Sequence, residues 1–208
     1  MQKHLMASVL LLVSSVTTSK DIGNQFLTVK LQYGATISIP KSWQVLRGYE
    51  MRATETAVGA AIDLSGYAKL VDGTETLLVS SFPDPKLYAG VTVTSTLIPS
   101  VISNLPAVLS DAQVKSGEQT IRQGTEATQD RLGVKVWGWT PLRKVSLGNN
   151  TVMHTSYLRS SLAGDRRVQL YKFFGSGRIY DVAVSSNIAH DSVNNIVLEK
   201  IVSSFTVP

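Results

Sequence analysis

Histidine is the first residue type to consider, because its side chain exchanges protons near neutral pH and is a common metal ligand. The 208-residue chain contains three histidines, His4, His154 and His190. His154 lies within a run of β-forming residues, and neither it nor His190 has a second histidine four residues away. The chain also lacks the Gly-x-Ser-x-Gly motif of a nucleophilic serine. We therefore expect structural or solvated histidines, no catalytic residue and no enzymatic activity.

The composition argues against several cofactors. The absence of cysteine removes thiol nucleophiles, iron–sulfur clusters and thiolate zinc sites. The acidic residues show no pairing suited to acid–base chemistry, and Glu118, Glu126 and Asp130 fall on one polar helix. A Gly-Ser-Gly sequence at residues 175–177 lacks the lysine and the following helix of a phosphate-binding loop, so it indicates a hairpin turn. We expect neither a cofactor nor a metal ion.

Basic residues form the main candidate binding surface. The formal net charge is +5, and the basic residues concentrate at Arg143, Lys144, Arg159, Arg166 and Arg167. Arg159 and Arg166 flank one predicted turn, so we expect them to lie close together. One hypothesis is a patch that docks a protein partner or another anionic surface, and the other is a solvated surface that aids solubility. Basic and aromatic residues are not interleaved, so we expect no nucleic acid partner.

Two tryptophans form a second candidate. Trp137 and Trp139 are two residues apart and so share one side of a predicted strand. On a buried face they would belong to the core, and on an exposed face they would form a platform for a partner. A core position is favoured, because aromatic side chains bury a large area beneath a covering helix. Trp43, at a predicted turn, is expected to pack against one end of the sheet, and the alternative is that it stacks on a ligand.

The N-terminus resembles a Sec-type signal peptide at residues 1–19. Lys3 and His4 provide a basic start, residues 5–16 are apolar, and small residues follow. The alternative is a buried N-terminal helix. No cysteine follows the apolar stretch to carry a lipid, and no later apolar run is long enough to span a membrane. We expect a periplasmic or secreted protein without a transmembrane segment, whose residues 20–208 form a single domain.

The last third of the chain predicts three antiparallel strands, at residues 152–161, 166–174 and 178–186, joined by short turns. A helix follows, and either Asp191 or Ser192 is expected to cap its start. Apolar residues at helical spacing form its predicted buried stripe: Val193, Ile196, Val197, Ile201 and Phe205.

Upstream, residues 47–64 are compatible with a helix, and a clearer helix begins at Ser110. Ser110 and Gln113 form a capping box, and Gly133 marks the helix end just after Leu132. The order of elements predicts an α+β fold in which helices cover a largely antiparallel sheet. Further strands are predicted at residues 33–40, 76–82, 91–98 and 134–145, and residues 26–30 are expected to form either a short strand or an ordered arm.

Five segments resemble the PsbP-like superfamily, which includes PsbP of photosystem II, the nuclear Ran release factor and bacterial envelope proteins of the DcrB kind. They are residues 37–43, 109–112, 133–136, 180–185 and 201–205. The resemblance implies an α/β/α sandwich and a non-enzymatic role in binding, docking or assembly. Because a lipid-bearing cysteine is absent, the chain is most similar to a non-lipoprotein bacterial member. The resemblance assigns no functional residue.

These observations favour an exported, non-enzymatic binding or assembly protein of the bacterial cell envelope, with a protein partner there. Two alternatives stay open: a hydrolase with an unrecognised site, and a carrier of a small apolar ligand. A deep pocket that holds His154 or His190 beside a carboxylate would favour the hydrolase. An open cavity between sheet and helices would favour the carrier.

Overall fold

In a computed structural model of the protein, a central antiparallel sheet lies between helices. The described residues are 25–47, 73–84, 87–98, 105–162, 164–175 and 177–208. Their strands are β1 (Phe26–Lys30), β2 (Thr36–Pro40), β3 (Gln44–Arg47), β4 (Thr74–Ser81), β5 (Ala89–Leu97), β6 (Val136–Trp137), β7 (Arg143–Leu147), β8 (Asn150–Arg159), β9 (Arg166–Gly175) and β10 (Arg178–Asn187). Their α-helices are α1 (Leu105–Val108), α2 (Asp111–Arg131) and α3 (Asp191–Ser203).

The described part of the sheet has eight strands in the order β3-β4-β5-β10-β9-β8-β6, and β7 also pairs with β8. All of these pairs are antiparallel. β1 and β2 form a separate antiparallel hairpin, and Thr36 in β2 bridges to Thr206 near the C-terminus. The α+β prediction is confirmed, and so are the three strands predicted in the last third of the chain.

One face of the sheet packs against α3 and the β1–β2 hairpin. In β10, the alternation of side chains turns Tyr180, Val182 and Val184 toward this face, and all three are buried. Trp43 is buried in the same cluster, as the sequence predicted. Helix α3 and the turn after it contribute their buried side chains to this cluster: Leu198, Ile201, Val202 and Phe205. We call this face the α3 face.

The other face, the α2 face, packs against α2. The predicted capping box is confirmed: the Gln113 backbone N–H donates to the Ser110 hydroxyl, and the Ser110 backbone N–H donates to the Gln113 side chain. The helix ends at Arg131, and Gly133 follows with a φ of +70°. A small apolar cluster lies beneath α2: Ile121, Leu142, Met153, Tyr157, Val168, Leu170 and Phe174.

The predicted apolar stripe of α3 is partly wrong. Ile201 and Phe205 are buried, but Val193 is 71% exposed and Ile196 is 68% exposed. Leu198, which the predicted stripe omitted, is buried instead. At 100° per residue, Leu198 and Ile196 lie on nearly opposite sides of a helix, so both cannot face the sheet.

The predicted cap of α3 is also wrong. His190 occupies the position before the helix, and no side chain caps the first turn. The Asp191 carboxylate instead accepts hydrogen bonds from Ser186 and Arg167.

The strand predicted at residues 134–145 is divided into β6 and β7. Gly138 lies between them with a φ of +63°, a backbone conformation that residues other than glycine rarely adopt. A Cβ at this position would lie 3.1 Å from the Leu158 side chain, so a larger residue would also crowd β8. Pro141 lacks a backbone N–H and cannot extend the strand pairing.

Two predicted elements lie outside the described residues. They are the signal peptide at residues 1–19 and, beyond Arg47, the helix compatible with residues 47–64. In the part of the chain that the structure describes, no helix has both the length and the apolar character needed to span a membrane.

Candidate functional site

A cleft of about 550 Å³ opens between α3 and the strands β7, β8 and β9 on the α3 face. Among its described lining residues, all but Pro141 carry a polar side chain. The lining residues are Thr140, Pro141, Arg143, His154, Ser156, Arg167, Gln169, Asp191, Asn195 and Glu199. This cavity lies between sheet and helix, but its polar lining does not suit the apolar ligand of a carrier.

Two residues that line the cleft, one on β7 and one on β8, belong to a cross-strand row of three side chains. Arg143 in β7 is the register partner of His154 in β8, which in turn pairs with Tyr171 in β9. Directly opposed residues of antiparallel strands point to the same face, so all three side chains lie on the α3 face. The His154 and Tyr171 rings are in contact, with centroids 4.5 Å apart. The register therefore brings residues distant in sequence into one site.

His154 is held as a neutral hydrogen-bond acceptor. Its side chain is buried, with the residue 8% exposed, and burial is the main cause that lowers its pKa; the positive charge of Arg143 adds to this effect. A hydrogen bond to Gln169 acts in the opposite direction, so the ring donates this bond. Because Nε2 has no partner, the donor is Nδ1, and the neutral ring leaves Nε2 as a free acceptor.

Tyr171 and Gln169 fix the position of the His154 ring. The Tyr171 hydroxyl donates to Gln169 Oε1 over 2.9 Å. Burial raises the pKa of Tyr171 to about 12, and the negative charge of Glu199 adds to the increase. The hydroxyl therefore stays protonated and remains a donor at neutral pH, which orients the Gln169 amide that holds His154.

The carboxylate of Asp191, the first residue of α3, is already paired. Arg167 Nε lies 2.7 Å from Asp191 Oδ2, and the Ser186 hydroxyl donates to Asp191 Oδ1. His154 is thus held by an amide, and carboxylates line the same cleft without a hydrogen bond to it among the described residues. Ser156, two residues along β8, hydrogen-bonds to Thr140 over 3.1 Å. The described residues show no serine–histidine pair of the kind used by hydrolases.

The predicted basic surface is distributed over both faces of the sheet. Arg143 and Arg167 line the cleft on the α3 face. Lys144 points to the α2 face, where its Nζ donates to the Leu109 carbonyl oxygen over 2.8 Å. Arg166 stacks on the Tyr88 ring at 3.7 Å. The role of these four residues in binding a partner stays a prediction.

Arg159 corrects both interpretations of the basic residues. It lies directly opposite Arg166 in the register, as the sequence predicted. However, it is only 1% exposed, so it belongs neither to a docking surface nor to a solvated one. Its Nη1 lies 3.5 Å from Gln129 Oε1 of α2. Burial beneath α2 makes Arg159 a structural residue, because a partner cannot reach it.

The two tryptophans have different environments. Trp139 stacks on Tyr157 with ring centroids 4.6 Å apart, and its Nε1 donates to Glu126. Trp137 is 39% exposed and lines a shallow surface cleft beside the end of α2. Because β6 ends at Trp137 and Gly138 turns the chain, the two side chains do not form the shared platform that an uninterrupted strand would give. Trp139 is half-buried and packs against the cluster beneath α2, so the predicted core position fits it in part and does not fit Trp137.

Sequence reasoning missed the wall of the cleft that α3 forms. Asp191, Asn195 and Glu199 recur every four residues and line one side of the helix. The four-residue spacing of these polar residues, next to an apolar stripe, was the signal in the sequence that could have indicated a polar helix wall. His190, the other candidate histidine, is half-buried before α3 and lies outside the lining of the cleft. The described residues contain no cluster of three potential metal ligands.

Comparison with known proteins identifies the fold. No family model and no curated protein matches the sequence. The solved structure of cyanobacterial PsbP (CyanoP) from Synechocystis matches with a TM-score of 0.56 at 10% identity, over 94% of this chain and 96% of that one. The chain has the PsbP-like fold. The elements that define it are the antiparallel sheet and the helices on its two faces.

Two further structures are similar to this PsbP-like chain. A protein from Bacteroides thetaiotaomicron gives a TM-score of 0.50 at 6% identity, over 88% of this chain and 49% of that one. LpqN, a Mycobacterium tuberculosis protein involved in cell envelope biogenesis, gives 0.46 at 11% identity, over 94% of this chain and 100% of that one. At such identities the likeness concerns the fold alone.

Proposed function

We propose that this chain is an exported, non-enzymatic accessory protein of the bacterial cell envelope that docks a protein partner through the outer side of α3. Residues 1–19 would direct export, and residues 20–208 would form one PsbP-like domain. The observation that carries the proposal is the exposure of Val193 and Ile196, at 71% and 68%.

Val193 and Ile196 form a small apolar patch. They are three residues apart on α3 and therefore neighbours on the helix surface. Single exposed apolar side chains are common on protein surfaces, but two neighbours on one helix offer a partner a continuous contact. Covering them would contribute roughly 25 cal/mol for each Å² of apolar surface removed from water. This stabilisation is available only when a second surface covers the helix.

The charge around this patch indicates the chemistry of the partner. Lys200 follows Ile196 by one turn, and its ammonium group lies 4.5 Å from the centre of the Phe26 ring. The chain as a whole carries a formal net charge of +5. Glu199, which is exposed, follows Ile196 by three residues. We therefore expect a protein surface that places an apolar anchor on this patch, an acidic group opposite Lys200 and a basic group opposite Glu199, because opposite charges steer association and fix orientation.

Site-specific crosslinking in cells tests this proposal. A photoreactive amino acid would replace Val193 or Ile196 in the full-length chain, and the exported and cytoplasmic fractions would be analysed separately. Leu162 is the matched control, because it is a fully exposed leucine in the β8–β9 loop. We expect one protein to crosslink from positions 193 and 196 but not from position 162. When the photoreactive residue is at position 193, the additional substitution Ile196→Asp should abolish crosslinking to this protein.

Three outcomes contradict the proposal. Equal capture from all three positions would mean that the contacts are non-specific. Absence of any crosslinked protein in the exported fraction would remove the docking role. Recovery of the chain from the cytoplasm with residues 1–19 still attached would remove the export role.

A further inference from the structure

Two buried polar atoms in the α3-face cleft lack a hydrogen-bond partner. They are Nε2 of His154 and Oδ1 of Asn195, one on the sheet and the other on α3. A buried polar group without a partner is destabilising, so such groups are rare unless a ligand, an ion or water satisfies them. The Nδ1–H tautomer makes His154 Nε2 an acceptor, and an amide oxygen is also an acceptor. Each of these two atoms therefore requires a hydrogen-bond donor from a bound molecule.

The guanidinium of Arg143 provides the opposite chemistry at the same site. Among the described residues it has no hydrogen bond or ion pair, and it lies across the strand pair from His154. A guanidinium offers a planar pair of N–H groups that matches the two oxygens of a carboxylate. A ligand that satisfies the whole site therefore combines one carboxylate with hydroxyl groups that can donate.

The other charged groups of the cleft are compatible with such a ligand. Arg167 and Asp191 neutralise one another at 2.7 Å. Glu199 is exposed on the helix wall, whereas Arg143 is on the strand wall. A carboxylate is thus attracted to the β7 side and repelled from the α3 side, which gives the ligand one orientation. A volume of about 550 Å³ is within the usual range for small-molecule sites.

We infer that the α3-face cleft binds a small hydroxylated carboxylate of the sugar-acid class. Its carboxylate lies on Arg143, and its hydroxyl groups donate to His154 Nε2 and Asn195 Oδ1. Tyr171 contributes indirectly, because its ring packs on His154 and its hydroxyl orients Gln169. This site is separate from the outer side of α3, so it goes beyond the docking role proposed above and does not depend on it.

Calorimetric titration of the full chain with D-glucuronate tests the inference. D-Glucose supplies hydroxyl groups without a carboxylate, and acetate supplies a carboxylate without the hydroxyl groups. We expect saturable binding of glucuronate and binding of the other two that is weaker by roughly tenfold or more. Glucose lacks the charge-assisted hydrogen bonds to Arg143, and acetate lacks the hydroxyl donors for His154 and Asn195. Tenfold weaker binding of glucuronate is likewise expected for Asn195→Leu.

Arg143→Gln and Lys144→Gln form a matched pair of variants on neighbouring residues. Arg143→Gln should weaken glucuronate binding roughly tenfold and remove the preference over glucose. Lys144→Gln removes the same charge from the opposite face of β7 and should leave the affinity within about twofold of the original. Thermal unfolding of each variant verifies that the fold is intact.

Three results would overturn the inference. The first is the absence of saturable glucuronate binding at millimolar concentrations. The second is an equal affinity for glucose and glucuronate. The third is an equal loss of affinity in Arg143→Gln and Lys144→Gln, which would indicate a general effect of charge. None of these three results bears on crosslinking from α3. A failure of the ligand site can therefore be distinguished from a failure of the docking role.

Discussion

The two faces of the central sheet use charged residues in different ways. On the α3 face, Arg143 and His154 lie at an open cleft and keep hydrogen-bonding groups without partners. On the α2 face, Lys172 and Asp181 pair at 2.6 Å with side chains only 18% and 12% exposed. Arg159, on the same face, is 1% exposed. An arginine thus belongs to a candidate site on the α3 face, whereas another arginine is part of the packing on the α2 face.

Arg143 and Lys144 show this difference over one peptide bond. Alternation along β7 sends their side chains to opposite faces. Lys144 donates to the carbonyl of Leu109 at the start of α2, whereas Arg143 remains available to a ligand. Residue type therefore does not decide whether a basic residue can bind a ligand. The face on which it lies, and the groups that this face already provides, decide it.

The largest expected effect concerns the apolar centre of the α3 face. Ile201 is fully buried, and Ile196 is 68% exposed on the same helix. Ile201→Ala should lower the free energy of unfolding by about 3 kcal/mol, because it removes buried apolar surface and leaves a cavity. Ile196→Ala should change it by about 0.5 kcal/mol or less. Urea denaturation measures both, and similar losses would show that α3 is rotated relative to the orientation described above.

A smaller effect is expected on the α2 face. Lys172→Ala leaves the Asp181 carboxylate largely buried without its partner, which should cost about 2–3 kcal/mol of stability. The double variant Lys172→Met and Asp181→Leu removes both charges and should recover most of that loss. Arg167→Ala breaks a more exposed pair, since the arginine side chain is 39% exposed, and should cost less than about 1 kcal/mol.

Denaturation of these variants decides whether the two faces differ as described. A double variant as unstable as Lys172→Ala would mean that the ion pair itself, and not the isolated charge, stabilises the α2 face. An equal cost for Lys172→Ala and Arg167→Ala would mean that burial does not distinguish the two ion pairs.

The parts of the fold that depend on local sequence could be predicted. The capping box needs only Ser110 and Gln113, which are three residues apart. The strands β8, β9 and β10 follow from side-chain alternation and the turns between them. The limit of local reasoning is seen between β6 and β7, where Gly138 and Pro141 interrupt a stretch whose composition predicts one strand. Both residues were visible in the sequence, and their effect on strand pairing is the signal that was missed.

The candidate site could be predicted only in part. Arg143 and Arg167 were identified by their charge, but their separation from Arg159 and Arg166 depends on which face each strand position occupies. The sequence predicts a structural or solvated His154, because the residues that surround it in the cleft are distant in sequence. The orientation of α3 was also mispredicted because it depends on contacts with residues distant in sequence. Several rotations bury apolar residues, and only contact with the sheet selects the one that places Asn195 in the cleft.

The smallest expected effect concerns the protonation of His154, which distinguishes the cleft from a solvated surface. Burial, together with the charge of Arg143, lowers its pKa below the ordinary value of 6.5. The other ionisable groups around the cleft are Tyr171 and Arg167 on β9 and Asp191 and Glu199 on α3. Arg143→Gln should raise the pKa of His154, and Lys144→Gln should not change it. NMR titration of the imidazole resonances measures both.

The lowered pKa also has a consequence for stability. Below pH 6.5 the unfolded chain binds a proton at His154 that the folded chain does not yet bind, so protonation favours the unfolded state. The His154 contribution is therefore fully present above pH 6.5 and is lost as the pH falls from there toward the lower pKa of the folded protein. His154→Gln should reduce the slope of stability against pH in this window. An unchanged slope, or a His154 pKa at or above 6.5, would contradict the lowered pKa and remove the neutral acceptor that the proposed ligand site uses.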